Sequence, residues 1–503
     1  MTVGALIQLE YGNTDRMAFL TLNPQITHFK SVYKKYTNFS TQFITNQPIL
    51  ANSNALSWDD EIKITFQIPR DGDAIRDMYL TMELPDIFSD SKYQFQWIKR
   101  IGEYIVKDVS LQIDTNQTVD KHYSEWFHAH SELYYDEGKK KGYYKMIGNV
   151  PEMYDPANAP GNCGQYPGGN IVPAPSIVNR KLYLPLIFWF NKFSSMSFPI
   201  ISIQKTIIYL NFTFRRLREL YTVNDFYNTG YRIKPSLPEH YIGKFLIPVV
   251  EDQNSLIFNP RLEINNIFLD NEERKRFALT SHDYLITQLQ VITNIVKAPG
   301  ASISIDLKNI NKPVTQLIFM IRRSDLENLN DWSNFTNWSS NDIPPYSLGY
   351  ANQYGAPLTI NSGNIENYKN RNLLKAAVIR LQSQEITQGD VPNNDLPSSS
   401  RTRISGKDSI FYNIMENFNN NNNIPEEGIY TYSFSLDNTS LQPIGAVNMS
   451  SITNKDILMT LTPINTTGSY NLGTTYNYNI YVFAVNYDIL KIMGGIVGTM
   501  TSN

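Results

Sequence analysis

The chain has 503 residues, a net charge of −3 at pH 7 and one cysteine, Cys163. A charge so close to neutral gives no global electrostatic reason to bind nucleic acid or an anionic membrane, and a lone cysteine excludes an internal disulfide framework. The length fits two large β domains, and the 13% aromatic content favours strands and subunit interfaces.

Targeting and membrane segments are not expected. The start, residues 1–4, has neither a basic region nor a long apolar stretch of the kind that directs secretion, so we expect folding in a reducing cytosol. The longest apolar run, residues 489–500, contains Lys491 and several glycines. It is shorter than the ~20 residues that a membrane-spanning helix needs.

Period-two alternation of apolar and polar residues predicts strands in both halves of the chain. In residues 61–68 every even-numbered position is apolar, which indicates a strand with one buried face. The same pattern recurs at residues 109–114, 208–215, 302–308, 430–436 and 476–485. Turn-forming residues separate these segments, for example at residues 70–73 and 156–175. Many short strands bounded by turns are typical of sandwiches or jelly rolls.

Helical patterns are few. The clearest covers residues 120–133, where large side chains recur at three- and four-residue spacing. A second is predicted at residues 271–280, with Asp270 as the N-cap and Glu272 and Glu273 in the first turn.

The first predicted helix also holds the densest group of titratable residues, including Glu125, His128, His130 and Glu132. On a strand, His128 and His130 would share a face and could bind a metal. On the helix that we prefer they lie about 200° apart, since each residue advances ~100°. Glu125 with His128, or His128 with Glu132, could still share a face. A polar helix face without a metal is the favoured interpretation.

Other motifs carry little chemistry. Cys163 lies in a glycine-rich stretch, residues 161–169, with no cue to a partner base and without the lysine of a phosphate-binding loop. The lysines at 139–141 and 145 could contact phosphates, but one such patch on a slightly acidic chain favours a solvated surface. We therefore expect no catalytic residue, cofactor or metal.

Several sequence blocks resemble the major capsid proteins of nucleocytoplasmic large DNA viruses. The most specific is the N-terminal run, residues 22–39, LNPQITHFKSVYKKYTNF. Further blocks follow in the family's order: RDGD at 70–73, WIKRIG at 97–102, DKHYSEW at 120–126, LYLPLIFWF at 182–190, FLDNEERKRF at 268–277, SHDYL at 281–285, IYTYSF at 429–434 and NYDILK at 486–491. The sequence departs from the family's pattern mostly at residues 151–180 and 325–365, which we expect to form outer loops.

The resemblance implies an all-β fold of two tandem eight-stranded jelly-roll sandwiches with a few short helices in connecting loops. The proline-punctuated stretch between residues 227 and 260, where alternation lapses, marks the junction. The predicted division is an N-terminal arm (1–45), a first jelly roll (46–245), a linker (246–260), a second jelly roll (261–487) and a C-terminal tail (488–503).

The resemblance also implies a function and partners. Three chains would form a pseudo-hexagonal capsomer that tiles an icosahedral shell. The partners would be the chain itself, as a homotrimer and in neighbouring capsomers, together with minor capsid and penton proteins. An inner membrane could lie nearby without being spanned, and no direct genome binding is expected. The protein would reside in the virion after folding and assembly in the host cytoplasm.

The N-terminal arm is the predicted assembly segment, because it is too polar and irregular for a core yet rich in tyrosine, phenylalanine and lysine. We expect it to lie under the shell and to tie capsomers to their neighbours and to minor capsid proteins. The residues assigned to this role are Asn23, Pro24, Phe29, Lys30, Tyr33, Lys34, Lys35, Tyr36, Asn38 and Phe39.

Two other functions stay open at this stage. One is a capsid-like scaffold or minor capsid paralogue, which would be scarce in purified particles. The other is a free-standing jelly-roll enzyme or lectin, which would form a stable monomer or dimer with a convergent polar pocket. An obligate trimer would instead bury roughly 2,000 Å² or more at each interface.

Overall fold

The computed structural model describes most of the chain. The described residues are 2–11, 20–51, 54–89, 92–114, 117–162, 166–167, 174–225, 232–250, 253–297, 303–336, 372–387, 406–462 and 476–500. Cys163 and most of the predicted loop at 325–365 lie outside these residues.

The first half of the chain forms antiparallel sheets. Their strands are β1 (Phe39–Asn46), β2 (Leu50–Ala51), β3 (Ala55–Ser57), β4 (Ile62–Gln67), β5 (Ala74–Leu84), β6 (Tyr93–Trp97), β7 (Val106–Ile113), β8 (Gln117–Tyr123), β9 (Arg180–Pro185), β10 (Ile208–Phe214), β11 (Tyr221–Asp225), β12 (Arg232–Ile233), β13 (Ser255–Ile257) and β14 (Arg261–Leu269). One main sheet has the order β1-β14-β5-β9 and the other β2-β4-β10-β7-β8. Smaller sheets pair β12-β11-β6 and β13-β3. The two main sheets enclose a core to which β5 contributes Leu80 and β4 contributes Phe66.

The second half repeats this architecture. Its strands are β15 (His282–Lys297), β16 (Ile303–Asp306), β17 (Pro313–Arg323), β18 (Leu374–Leu381), β19 (Gln384–Glu385), β20 (Lys407–Asp408), β21 (Ile429–Ser433), β22 (Val447–Asn448), β23 (Lys455–Leu461), β24 (Asn477–Met493) and β25 (Ile496–Thr499). One sheet has the order β15-β24-β17-β21, with β22 on β17 and β25 on β24. The other has the order β16-β23-β18-β19, with β20 on β18. Strands dominate both halves, and the predicted fold class is confirmed.

Helices are short and occupy the connections. The α-helices are α1 (Val3–Tyr11), α2 (Ile101–Tyr104), α3 (Ser124–Tyr134), α4 (Glu137–Met146), α5 (Pro151–Tyr154), α6 (Trp189–Lys192), α7 (Asn271–Leu279) and α8 (Glu416–Asn420), the last preceded by a π-helical turn (Phe411–Met415). The 3₁₀ turns are Pro156–Asn158, Ser194–Met196, Ile200–Ser202, Leu217–Glu219, Pro238–His240, Ile242–Phe245, Ser324–Leu329 and Met449–Ser451. Among the described residues no helix is long and apolar enough to cross a bilayer.

The strands predicted from alternation are confirmed. The stretch at 61–68 is β4, in which Ile62, Ile64 and Phe66 are buried and the residues between them are not. The other predicted stretches correspond to β7, β10, β16, β21 and β24. The helix predicted at 271–280 is α7, with Asp270 at its N-cap position.

The helix predicted at 120–133 begins four residues later than expected. Residues 120–123 end strand β8, where Tyr123 pairs with Asp108 and His122 with Val109 of β7. The backbone hydrogen bonds of this pairing outweigh the helical spacing of the side chains, so α3 starts at Ser124.

Strand pairing differs from the predicted domain boundaries. Strand β1 begins inside the predicted arm, at Phe39, and pairs along its whole length with β14. Strand β14 also pairs with β5, so residues 261–269 belong to a sheet of the first sandwich. Residues 488–493 continue β24 into a hairpin with β25 rather than forming a separate tail. We propose that the first sandwich spans residues 39–269 and the second 282–499.

The sheet β15-β24-β17-β21 belongs to two cores at once. In β17, Leu317, Phe319 and Ile321 join the core inside the second sandwich. The alternating residues Ile318 and Met320 join the core that fills the first sandwich. Ten of the eleven residues of β17 are buried. This strand therefore lacks the polar alternation of a half-exposed strand, and sequence periodicity missed it.

We expect substitutions on both faces of β17 to destabilise the protein. Leu317→Ala and Ile318→Ala each leave a cavity in a different core, and each is expected to lower the free energy of unfolding by about 2–5 kcal/mol. Ile295→Ala in the same sheet is the control, because Ile295 is exposed and the expected change is within about 0.5 kcal/mol. Chemical denaturation measures all three. If either Leu317→Ala or Ile318→Ala left the free energy of unfolding unchanged, β17 would have only one buried face and the prediction would be wrong.

Candidate functional site

The described part of the N-terminal arm is exposed. Every residue from 20 to 43 has an exposed side chain, and Phe29 is 99% exposed. Phe39 opens β1 opposite Leu269 and lies 6.4 Å, centroid to centroid, from the ring of Tyr36. The ten residues predicted as the assembly segment thus lie together on an uncovered extension of the first sandwich.

The arm combines aromatic rings with positive charge. Residues 20–39 contain three lysines, Lys30, Lys34 and Lys35, and no acidic residue. Exposed aromatic side chains in a contiguous stretch are typical of a surface that binds another protein. A partner that covers this stretch would need apolar pockets and acidic groups.

The acidic residues of α3, Glu125 and Glu132, are buried in ion pairs beside the contact between the two sandwiches. Glu125 lies between two arginines: its Oε1 accepts from Nη1 of Arg322, on β17, at 3.1 Å, and from Nη2 of Arg215, after β10, at 3.4 Å. Both guanidinium groups stack on the ring of Trp332, at 4.4 Å for Arg215 and 5.1 Å for Arg322. We call Glu125, Arg215, Arg322 and Trp332 the Glu125 cluster.

Electrostatics keep Glu125 ionised. Burial alone would raise the pKa of this carboxyl group, but Arg322 and Arg215 outweigh burial and hold the pKa below its ordinary value. Tyr481 of β24 accepts a further hydrogen bond from Arg322, at 2.6 Å. The cluster therefore joins α3 of the first sandwich to β17 and β24 of the second.

A second buried cluster surrounds Glu132. This carboxylate accepts hydrogen bonds from Arg100, Lys140 and Tyr144, and Arg100 also donates to Glu103 at 3.1 Å. Burial would raise the pKa of Glu132, but Arg100 first, with help from Lys140, lowers it. From the second sandwich, the backbone N–H of Glu426 reaches Glu132 Oε2 at 3.3 Å.

The residues that the sequence analysis weighed as metal ligands, with the metal-free helix face preferred, meet only in part. His128, Glu132 and Glu426 have potential ligand atoms within 4.8 Å of one another, so His128 and Glu132 do share a helix face. The Glu132 carboxylate is already neutralised by Arg100 and Lys140, and a divalent cation there would meet their positive charges. His128 bonds to Tyr104 at 3.0 Å, and burial, with Arg100, lowers its pKa well below the ordinary value. The polar face of α3 thus consists of ion-paired carboxylates and a histidine that bonds to Tyr104.

The predicted lysine patch is divided. Lys140 is buried against Glu132, and Lys139 lies over the ring of Tyr135 at 4.4 Å. Lys141 and Lys145 are exposed on α4. Two of the four lysines are therefore engaged within the fold.

Neutral hydrogen bonds complete the contact between the sandwiches. Asn330 Nδ2 donates to the carbonyl oxygens of Arg218 and Tyr221 at 2.7 and 2.8 Å. Gln288 Nε2 donates to the Val119 carbonyl oxygen at 2.8 Å. Sequence reasoning missed Arg215, Arg322 and Asn330, since their partners are far away in the chain and no local pattern marks them.

Comparison with known proteins gives a consistent assignment. Residues 27–244 match the family described as major capsid protein N-terminus, and residues 273–498 match the family described as large eukaryotic DNA virus major capsid protein. The major capsid protein of Phaeocystis pouchetii virus is 27% identical and aligns over 99% of this chain and 100% of its own length. That of Paramecium bursaria Chlorella virus 1 is 26% identical over the same shares.

Solved structures agree on the fold. The capsid protein of the PBCV-1 virus capsid superposes with a TM-score of 0.65 at 23% identity, covering 95% of this chain and 100% of the other. The Faustovirus major capsid protein gives a TM-score of 0.62 at 13% identity, covering 97% and 96%.

We expect Glu125→Gln to destabilise the protein strongly. The substitution leaves Arg215 and Arg322 buried without a counter-charge, for which the expected loss in the free energy of unfolding is about 3–5 kcal/mol. Chemical denaturation at pH 7 measures the loss. Glu61→Gln is the control, because the pair of Glu61 with Lys107 is partly exposed and such pairs contribute about 1 kcal/mol or less. Equal effects of the two variants would contradict a structural role for the Glu125 cluster.

The effect of Glu125→Gln should depend on pH. Because the pKa of Glu125 is lowered in the folded state, its contribution to stability is present above the ordinary glutamate pKa of about 4.3 and is lost as the pH falls through the lowered value. The difference between wild type and Glu125→Gln is therefore expected to be constant from pH 7 to 5 and to shrink below about pH 4. Urea denaturation of both proteins across this range measures it, and a constant difference down to pH 3 would contradict the lowered pKa.

Proposed function

This chain belongs to the major capsid protein family of large eukaryotic DNA viruses, and we propose that three copies form a pseudo-hexagonal capsomer. The protein is a structural capsid protein with a double jelly-roll fold. Its role rests on shape and on contacts between copies, and the trimer is the assembly that suits this shape.

The fixed arrangement of the two sandwiches is the observation that carries the proposal. The shared sheet and the Glu125 cluster join two similar sandwiches into one rigid block. Three such blocks around a threefold axis present six similar sandwiches, which gives a nearly hexagonal outline. Capsomers of that outline cover a surface with few gaps. A hinge between the sandwiches would let the outline vary from copy to copy.

An uncovered helical face on the second sandwich suits contact between copies. Ile410, directly before the π-turn, Ile414 and Met415 within it and Phe418 of α8 are exposed, Phe418 by 76%. Ile410, Ile414 and Phe418 recur at four-residue spacing, with Met415 beside Ile414, and so lie along one side of the helix. We propose that another copy in the trimer covers them.

We expect Phe418→Asp to weaken the trimer, because it places a charge in an apolar contact. Analytical ultracentrifugation of the full chain should give about three times the chain mass of 57.8 kDa for the wild type and a shift towards single chains for the variant. Leu279→Asp, equally exposed but on α7, is the control and should stay trimeric. A wild-type monomer would reject the trimer, and a trimeric Phe418→Asp protein would reject this face as its interface.

The N-terminal arm is proposed to act after trimer formation. Its exposed rings and three lysines favour docking beneath the shell, on a neighbouring capsomer or on a minor capsid protein with an acidic, apolar surface. Penton proteins are further proposed partners at the shell vertices. Assembly is proposed to take place in the host cytoplasm, near but not across an inner membrane and without direct contact with the genome.

Removal of the arm should separate trimer formation from shell formation. Deletion of residues 1–30, or the combined change Phe29→Ser, Tyr33→Ser and Tyr36→Ser, is expected to leave soluble trimers but to block shells. The reason is that the described side chains of this segment, at residues 2–7 and 20–36, are all exposed. Electron microscopy of particles from cells that make the variant in place of the wild type measures shell formation, and Leu279→Ser is the control. Normal shells from the arm variants would reject the proposed role.

A capsid-like scaffold or minor paralogue is the alternative within the same family. A shell-forming protein dominates the protein content of purified particles, whereas a scaffold or minor component is scarce. Quantitative gel analysis of particles distinguishes the two functions.

A further inference from the structure

A cavity between the two sandwiches has the size and chemistry of a ligand site. Its volume is about 520 Å³, within the range of roughly 300–1,000 Å³ typical of small-molecule sites. The first sandwich supplies most of its wall, and the second contributes Asn422, Asn438 and Thr439. None of these groups belongs to the arm or to the Glu125 cluster.

The apolar part of the wall is aromatic. Tyr134, Tyr135 and Tyr143 line the cavity together with Phe193. Two of the hydroxyl groups are engaged elsewhere, since Tyr134 donates to Gln316 at 2.7 Å and Tyr143 to Glu103 at 2.8 Å. These residues therefore offer the cavity mainly ring surface, which suits a flat apolar body.

The charged part of the wall is positive. Lys139 and Lys192 both line the cavity, and Nζ of Lys192 donates only to a neutral hydroxyl in the hydrogen bonds seen there, Thr287 Oγ1 at 3.1 Å. The carboxylate that faces them, Asp77, already pairs with Arg76 at 3.4 Å and accepts from Asn265 at 3.1 Å. A second carboxylate, Asp120, also acts on Lys192, but it already accepts from the backbone N–H groups of Lys121 and Leu289 at 3.0 Å. Two ammonium groups near carboxylates that already have partners favour an anion.

From the volume, the rings and the two lysines, we propose that this cavity binds a small organic anion, with an acidic group at Lys192 and a flat apolar body against the tyrosine rings. Such a ligand would touch both sandwiches. By mass action it would stabilise the folded chain by RT ln(1 + L/Kd), where L is the free ligand concentration and Kd its dissociation constant.

A pair of fluorescent probes tests the proposal on the full-length protein in its isolated oligomeric state. The anionic probe is 8-anilinonaphthalene-1-sulfonate, and the neutral probe is N-phenyl-1-naphthylamine, which has the same rings without the sulfonate. The wild type is expected to bind about one anionic probe per chain, at least about tenfold more tightly than the neutral probe. No saturable binding, or equal affinity for the two probes, would overturn the proposal.

Three variants locate the site. Lys192→Met should weaken the anionic probe by about tenfold or more and leave the neutral probe within twofold. Gly142→Trp should abolish binding of both, because Gly142 lines the cavity and a Cβ there meets no atom within 4 Å. Lys141→Met, exposed on the same helix and outside the cavity wall, should change neither. Binding that survives both Lys192→Met and Gly142→Trp would overturn the site, and Lys192→Met alone decides if Gly142→Trp does not fold.

The pH dependence of binding gives an independent readout. The Lys192 side chain is partly open to solvent, but the protein atoms around its ammonium group lower its pKa to about 8, although the Asp120 carboxylate opposes this shift. Of the other groups around the cavity, His130 stays neutral at this pH because burial lowers its pKa. Asp77 pairs with Arg76, and Lys139 lies over the ring of Tyr135. Affinity for the anionic probe should fall between pH 7 and 9 in the wild type and stay flat in Lys192→Met. The same pH profile in both proteins would overturn the assignment of Lys192.

Discussion

The burial of one sheet on both faces is the constraint on which the rest of the structure depends. Strands β17 and β24 send alternate residues into two cores, so neither sandwich has a complete interior without the other. Phe319 and Ile318 are neighbours in the chain and fill different halves of the molecule. The relative position of the sandwiches is thus set by core packing, which tolerates little displacement.

The buried ion pairs refine this arrangement at a cost. Removing Glu125, Arg215 and Arg322 from water costs several kcal/mol per ion, and their attraction offsets this only in good geometry. The stacking of both guanidinium groups on Trp332 and the bond from Arg322 to Tyr481 supply that geometry. Apolar burial has no preferred direction, whereas a misplaced carboxylate between two arginines leaves charges unpaired. The Glu125 cluster therefore favours one register.

How much the sequence predicted depended on the range of the interactions involved. Half-exposed strands such as β4 can be predicted from the alternation of apolar and polar residues. The fold class was predicted from the blocks that resemble the capsid protein family. Strand β17 has no alternation because both of its faces are buried, and residues 120–123 follow a helical pattern but obey the pairing with β7. The partners of Glu125 and Glu132 lie up to 294 residues away in the chain. The residues of the arm could be named in advance because their composition is local, but their exposure needed the fold.

The shared sheet also has a consequence for synthesis on the ribosome. The core of the first sandwich includes Phe483, Leu490 and Val497, which emerge long after β14, the last strand of that sandwich. A nascent chain that has completed β14 still exposes the surface that β17 and β24 will cover. The core of the first sandwich is therefore completed only after β24 and β25 have emerged, and a chain that stops before them keeps an apolar face that chaperones recognise.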